Sequence, residues 1–199
     1  MKKLTLGFLL VASVATAQTQ TVFINGVGLQ ATPVTEKGVV YYKFKADDLK
    51  RVGAITAGGV TPKMEAVKGC VGDTLFNGVY TVQLLNTFWA GDRFGATLKI
   101  ANASKQELHN FMLPSPSDVK AANKAGNAVE MPNYEDRWLA TLLPGANTTV
   151  KTMTDNIKQK GWTRLLVRPS ASSIRELQDD KLPLAKVYNM EFDLTCTKK

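Results

Sequence analysis

The stretch Tyr80-Thr81-Val82-Gln83-Leu84, followed by Phe94-Gly95-Ala96-Thr97-Leu98-Lys99-Ile100, alternates apolar residues with small or polar ones. That period of two marks strands that bury one face. The pattern returns at the end of the chain, where Tyr188, Met190, Phe192 and Leu194 are separated by Asn189, Glu191 and Asp193. Further strand candidates lie at Arg137 to Leu142, Thr148 to Thr152 and Thr163 to Arg168, with turn signals at Asn77-Gly78 and Pro144-Gly145. At least six strands after Cys70, with little room for crossover helices, predict a mainly β chain whose residues 70–199 form an antiparallel, immunoglobulin-like β-sandwich. Two short helices are expected in its connections. One runs from Asp118 to Ala125 and stops at Gly126, and the other runs from Ile174 to Asp179 behind the capping box Ser173-x-x-Glu176.

Upstream, Val22-Phe23-Ile24 and Val27 to Leu29 flank Asn25-Gly26, the strongest two-residue hairpin signal because both residues tolerate positive φ. A second turn at Glu36-Lys37-Gly38 leads into the β-branched and aromatic run Val39 to Phe44. Asp47 to Val52 reads as a short helix, with acids at its start, Lys50 and Arg51 near its end and Gly53 beyond. Residues 18–57 therefore form a hairpin-strand-helix unit. The stretch from Ile55 to Gly69 carries three glycines and Pro62 and has little periodicity, which places a linker at 58–69.

The first residues carry an export signature. Lys2 and Lys3 precede the apolar run Leu4 to Val14, and Ala15-Thr16-Ala17 supplies small residues for cleavage between Ala17 and Gln18. The apolar run is shorter than the roughly 20 residues a membrane-crossing helix needs, so residues 1–17 read as a cleaved signal peptide with no transmembrane segment left after processing. The expected location is extracytoplasmic: periplasm, cell envelope or medium. Loss of Lys2 and Lys3 lowers the formal net charge from +8 but leaves the chain basic. A basic exported protein meets anionic wall polymers and other envelope proteins, and the alternative role for the charge is solubility alone. Cys70 and Cys196, the two cysteines of the chain, are expected to pair in an oxidising compartment. A metal or redox role is disfavoured by the absence of Cys-x-x-Cys and of a neighbouring histidine.

Val22-Phe23-Ile24-Asn25-Gly26, Glu36-Lys37-Gly38-Val39-Val40-Tyr41, and Asp48-Leu49 with Gly53-Ala54 resemble the copper-amine-oxidase-like N-terminal domain of secreted bacterial proteins, over roughly residues 21–57. Gly69-Cys70, Leu75 to Tyr80 and Phe192 to Cys196 are similar to the disulfide-closed β-sandwich that accompanies that domain. The resemblance implies a structural or envelope-associated role rather than oxidation.

Several constellations were weighed for chemistry. Asn133-Tyr134-Glu135 copies the motif in which amine oxidases mature a tyrosine to a quinone. The copper in such enzymes needs three histidines, whereas this chain has His109 alone, so no cofactor or metal is expected. A single histidine also disfavours a Ser-His-Asp or Cys-His hydrolase. Asp47-Asp48 and Asp179-Asp180 lack the spaced oxygens and glycine of a calcium loop. No Gly-x-Gly-x-x-Gly or P-loop pattern is present, and no nucleic-acid reader motif accompanies the basic positions Lys120, Lys124, Lys151, Lys158, Lys160 and Arg164. Nucleic acid is therefore not an expected partner.

The favoured expectation is a non-catalytic secreted or cell-envelope protein that presents the loops Pro114 to Pro132 and Met153 to Trp162 to a wall polymer or an envelope protein. The alternative is a secreted hydrolase using paired carboxylates from among Glu135, Asp136 and Asp193.

Overall fold

Each alternating run buries its apolar face, as its pattern requires. Tyr80, Val82 and Leu84 are fully buried on one strand, Ala96, Leu98 and Ile100 on the next, and Leu165, Val167, Met190 and Phe192 face them from a second layer. The computed structural model describes residues 18–54, 66–110, 112–155, 159–180, 182 and 187–198. In chain order the elements are β1 (Gln20–Ile24), β2 (Val27–Glu36), β3 (Val39–Lys43), α1 (Ala46–Arg51), β4 (Ala66–Val71), β5 (Thr74–Phe76), β6 (Tyr80–Ala90) and β7 (Arg93–Asn102). They are followed by β8 (Val119–Asn123), β9 (Ala128–Glu130), β10 (Asn133–Tyr134), β11 (Asn147–Met153), β12 (Trp162–Val167), α2 (Ala171–Asp179) and β13 (Asn189–Thr197).

The strands form a two-sheet β-sandwich. One sheet has the order β1-β2-β5-β6-β7-β11-β10, with β3 also paired to β2, and the other has the order β4-β13-β12-β8-β9. The first hairpin turns on Asn25 (φ 50°) and Gly26 (φ 75°), and the second on Lys37 (φ 52°) and Gly38 (φ 80°), where the paired left-handed conformations match the twist of the flanking strands. β2 is longer than the short run read from sequence: β1 pairs with its first half and β3 with its second. β1–β3 continue the larger sheet through one bridge, Val27 to Leu75. Val27, Leu29 and Val52 belong to the same buried cluster as the sandwich residues.

Five local expectations are corrected. Residues 66–69, read as the end of a linker, lie in β4, because Val67 is buried and the strand finds a partner in β13. The β4–β13 pair is parallel, so the smaller sheet is mixed rather than purely antiparallel. The helix expected over 118–125 is a 3-10 turn at Pro116–Asp118 followed by β8. Pairing on both sides of β8 and burial of Val119, Ala121 and Ala122 outweigh a weak local helix signal. The strand expected at 137–142 is a 3-10 turn at Asp136–Leu139, which drives Trp138 into the core, and only Leu142 bridges, to Leu108. Helix α2 starts three residues earlier than read, because Ser170 rather than Ser173 is its cap and accepts the Ser173 backbone N–H.

Cys70 and Cys196 form a disulfide with Cα atoms 5.1 Å apart. It joins neighbouring strands of one sheet, β4 and β13, at the point where their register shifts between Asp193 and Thr197. Residues 1–17, which hold the expected signal peptide and its Ala17 side of the cleavage site, lie outside the described residues, as do 55–65 and Lys158.

Candidate functional site

The positions weighed for chemistry do not converge. Glu135 lies beside the edge strand β10 and approaches Lys151 at 4.0 Å, while Asp136 opens the neighbouring 3-10 turn. Asp193 is on the other sheet, in register with Cys70 and Arg164, and accepts hydrogen bonds from the backbone and hydroxyl of Thr195. His109 is exposed, with Nδ1 3.9 Å from Glu107. Asp47 pairs with Lys50 at 3.7 Å and Asp48 with Arg51 at 3.6 Å within α1. Among the described residues no group of three or more His, Cys, Asp or Glu side chains could hold a metal ion. Asn133 instead ties β10 to the 153–155 segment, donating to the Asp155 carboxylate at 2.8 Å and to the Thr154 carbonyl at 3.1 Å.

Several of the basic positions are similarly engaged. Lys120 lies 3.0 Å from Glu130, Arg164 lies 3.8 Å from Glu191, and the Lys160 ammonium stands 5.8 Å from the centre of the Trp89 ring. The two ion pairs contribute little stability in water, about 0–1 kcal/mol each, but they offset the charge at Lys120 and Arg164, whereas Lys160 over the neutral indole keeps its charge.

What the fold does assemble is a cleft of about 570 Å³ where three segments meet: the Leu113–Ser117 stretch before β8, the Pro132–Leu139 stretch around β10, and the start of α2. The first segment is set by Asp118, which accepts the Ser115 backbone N–H at 2.8 Å and fixes the turn. The second is set by Trp138, whose indole N–H donates to the Pro114 carbonyl at 2.6 Å and so pins the 3-10 turn against the first segment. Thr152 on β11 adds a further tie by donating its hydroxyl to the Met131 carbonyl. The third segment is set by the Ser170 cap. Each tie satisfies a buried or half-buried polar group, and such a bond contributes about 1 kcal/mol net.

The cleft surface combines hydroxyls with apolar faces. Ser115 and Ser117 hydroxyls lie 2.8 Å apart, as do those of Ser170 and Ser172. Tyr134 and Leu139 are about half exposed, 46% and 51%, whereas Trp138 and Leu113 are buried beneath them. Among the described residues, Glu176 is the one charged residue that lines the cleft. Asp118 sits behind Ser115, and burial raises its carboxyl above the ordinary carboxylate range, against hydrogen bonds from Ser115 and Ser170 and the charge of Lys120. Burial, with a smaller contribution from Asp118, likewise pushes the Tyr80 phenol above its usual range.

Some of the residues lining this cleft fall in stretches singled out in the sequence. The loop Pro114 to Pro132 supplies Ser115, Pro116, Ser117 and Pro132, and the Asn133-Tyr134-Glu135 motif supplies Tyr134. The sequence alone did not connect them to Leu139, Ser170 or Ser172, which join the cleft only because the 3-10 turn and α2 fold back over it. The run Ser170-Ala171-Ser172-Ser173, dense in small hydroxyls after Pro169, was the available signal.

A second cleft, of about 470 Å³, runs beside the disulfide and is lined by Lys45, Asp47, Asp48, Arg51 and Lys198 among others. Asp47 and Asp48 pair with Lys50 and Arg51 of α1, whereas Lys45 and Lys198 lie outside that helix. Neither cleft is lined by Glu135, Asp136 or Asp193. Among the described residues no helix is long and apolar enough to cross a membrane.

No family model matches the chain, and no curated protein matches it. Among solved structures it is similar to the secreted protein MPT63 of Mycobacterium tuberculosis, at 12% identity over 66% of this chain and 99% of that one, with a TM-score of 0.46. It is also similar to the yjhA protein of Bacillus subtilis, at 16% identity over 64% of this chain and 98% of that one, with a TM-score of 0.43. At these scores the likenesses carry no argument about what the chain does.

Proposed function

We propose that this is a non-catalytic, extracytoplasmic binding protein that uses the Ser115–Tyr134–Ser172 cleft to hold a component of the cell envelope. The observation that carries the reading is the cleft itself: rigidly tied walls, exposed Tyr134 and Leu139, and paired hydroxyls. Its volume falls in the range of ligand sites. Among the described residues a single carboxylate, Glu176, lines it, and a paired-carboxylate hydrolase needs two, about 5 to 10 Å apart. Export is supported by the signal-like residues 1–17, with cleavage between Ala17 and Gln18, and by the use of both cysteines in a disulfide. In this reading residues 18–57, the stretch that resembles a copper-amine-oxidase-like N-terminal domain, brace the sandwich by extending its larger sheet and core.

The test is co-sedimentation of the oxidised protein, from Gln18 onward, with isolated cell envelope across a range of salt. Retention that survives high salt is expected, since the described residues lining the cleft include no cation and Lys120, Lys151 and Arg164 have carboxylate neighbours. Retention that fades with salt would move the contact to the lysine-bearing surface. Absence of retention at every salt concentration would overturn the reading.

A further inference from the structure

We infer that the ligand of this cleft is a neutral saccharide chain, an inference that rests on the reading of the protein as an envelope-binding protein and adds the chemistry of what it binds. Charge gives the first argument. The full chain carries a formal net charge of +8, yet among the described residues no lysine, arginine or histidine lines the cleft, and the one charged group there is the Glu176 carboxylate. An anionic polymer would meet repulsion there and no counter-charge.

Hydrogen-bonding capacity gives the second. A hydroxyl both donates and accepts. Across Ser115–Ser117 one proton lies between two oxygens, which leaves one O–H donor for a ligand; the Ser170 hydroxyl also contacts the Ser173 hydroxyl at 3.0 Å and accepts the Ser173 N–H, so those three hydroxyls together leave one more. Sugar hydroxyls need that mixture of donors and acceptors side by side. Glu176 adds an acceptor at the rim.

Apolar surface gives the third. Tyr134 and Leu139 are about half exposed beside the hydroxyls, and Pro132 is exposed next to them. Flat apolar faces next to a hydroxyl row suit a pyranose ring, whose C–H face is apolar and whose edge is polar. An extended proline-rich peptide would instead use an aromatic N–H as donor to its carbonyls. Here the Trp138 indole N–H is already committed to Pro114.

The experiment is affinity electrophoresis of the oxidised mature protein in native gels cast with a neutral glucan, a neutral N-acetylhexosamine polymer or an anionic uronate polymer. Retardation by at least one neutral polymer, unchanged by salt, is expected. Tyr134→Ala should weaken it about tenfold, the effect of losing one aromatic anchor. Ser172→Phe, at an exposed helix position, should abolish it by filling the cleft. Both variants keep core residues intact, and circular dichroism checks their fold. If no neutral polymer retards the protein, if only the uronate does, or if both variants bind as the parent does, the saccharide assignment is overturned. Envelope retention without saccharide binding would overturn the ligand class alone, whereas loss of both would overturn the binding role as well.

Discussion

Arg51, on the short helix α1, donates its guanidinium to Asp73, whose side chain is completely buried beside the disulfide. The same carboxylate oxygen also accepts the backbone N–H of Cys70 at 2.8 Å, and its other oxygen is buried with no hydrogen-bond partner. One side chain from the N-terminal segment thus compensates a charge inside the sandwich. Removing one partner of such a pair leaves an uncompensated charge and costs 3–5 kcal/mol in a dry site. Because the Arg51 side chain is about one-third exposed, water offsets part of that. Arg51→Ala is expected to lose about 2 kcal/mol in urea denaturation, and a loss under about 0.5 kcal/mol would show that the pair does not fasten α1.

The hairpin glycines separate backbone strain from packing. Gly26 and Gly38 both have φ near 80°, so a side chain at either position adopts the left-handed conformation, at a cost of about 1–2 kcal/mol. At Gly38 a Cβ would meet nothing within 4 Å, but at Gly26 it would lie 2.6 Å from the Phe76 carbonyl and 2.7 Å from a Val67 methyl. Gly26 sits where the first hairpin docks on β4 and β5, and Phe76 donates its backbone N–H to the Gly26 carbonyl. Gly38→Ala should cost only the strain, whereas Gly26→Ala should cost a further 1–3 kcal/mol of overpacking. Equal thermal shifts for the two variants would mean that the hairpin does not press on the sandwich.

The same contrast explains what could be read in advance. Alternation in β6, β7 and β13 and the Asn25-Gly26 turn are local signals, and they led to the right elements because each strand buries one face and the turn needs only two residues. Elements whose state depends on distant partners were not legible. β8 looks helical until β12 and β9 pair with it, and residues 137–142 look like a strand until Trp138 finds the Pro114 carbonyl. β4 follows a glycine-rich stretch and shows itself only through its pairing with β13. The cleft shared this limit: Tyr134 and the Pro-Ser run could be singled out, but Ser172 enters through the docking of α2.

Asp118 makes the site sensitive to pH in a predictable direction. Burial raises its carboxyl above the ordinary value of 3.8, and the bonds from Ser115 and Ser170 and the charge of Lys120 only partly oppose this. The unfolded chain releases this proton at the ordinary value, while the folded chain holds it to higher pH. Between the two values the folded state binds more protons, so this group's contribution is fully present below the ordinary value and is lost as pH rises through the folded one. Other carboxylates shape the total curve, so the informative quantity is the difference between the parent and Asp118→Asn. The amide cannot ionise but can still accept the Ser115 N–H. The stability of the parent relative to the variant should fall as pH rises above the ordinary value of 3.8 and level off once the folded carboxyl has ionised, as read from urea denaturation at each pH. A difference that stays flat would mean that the carboxyl ionises as it does in the unfolded chain, and one that rises with pH would mean that its hydrogen bonds outweigh burial.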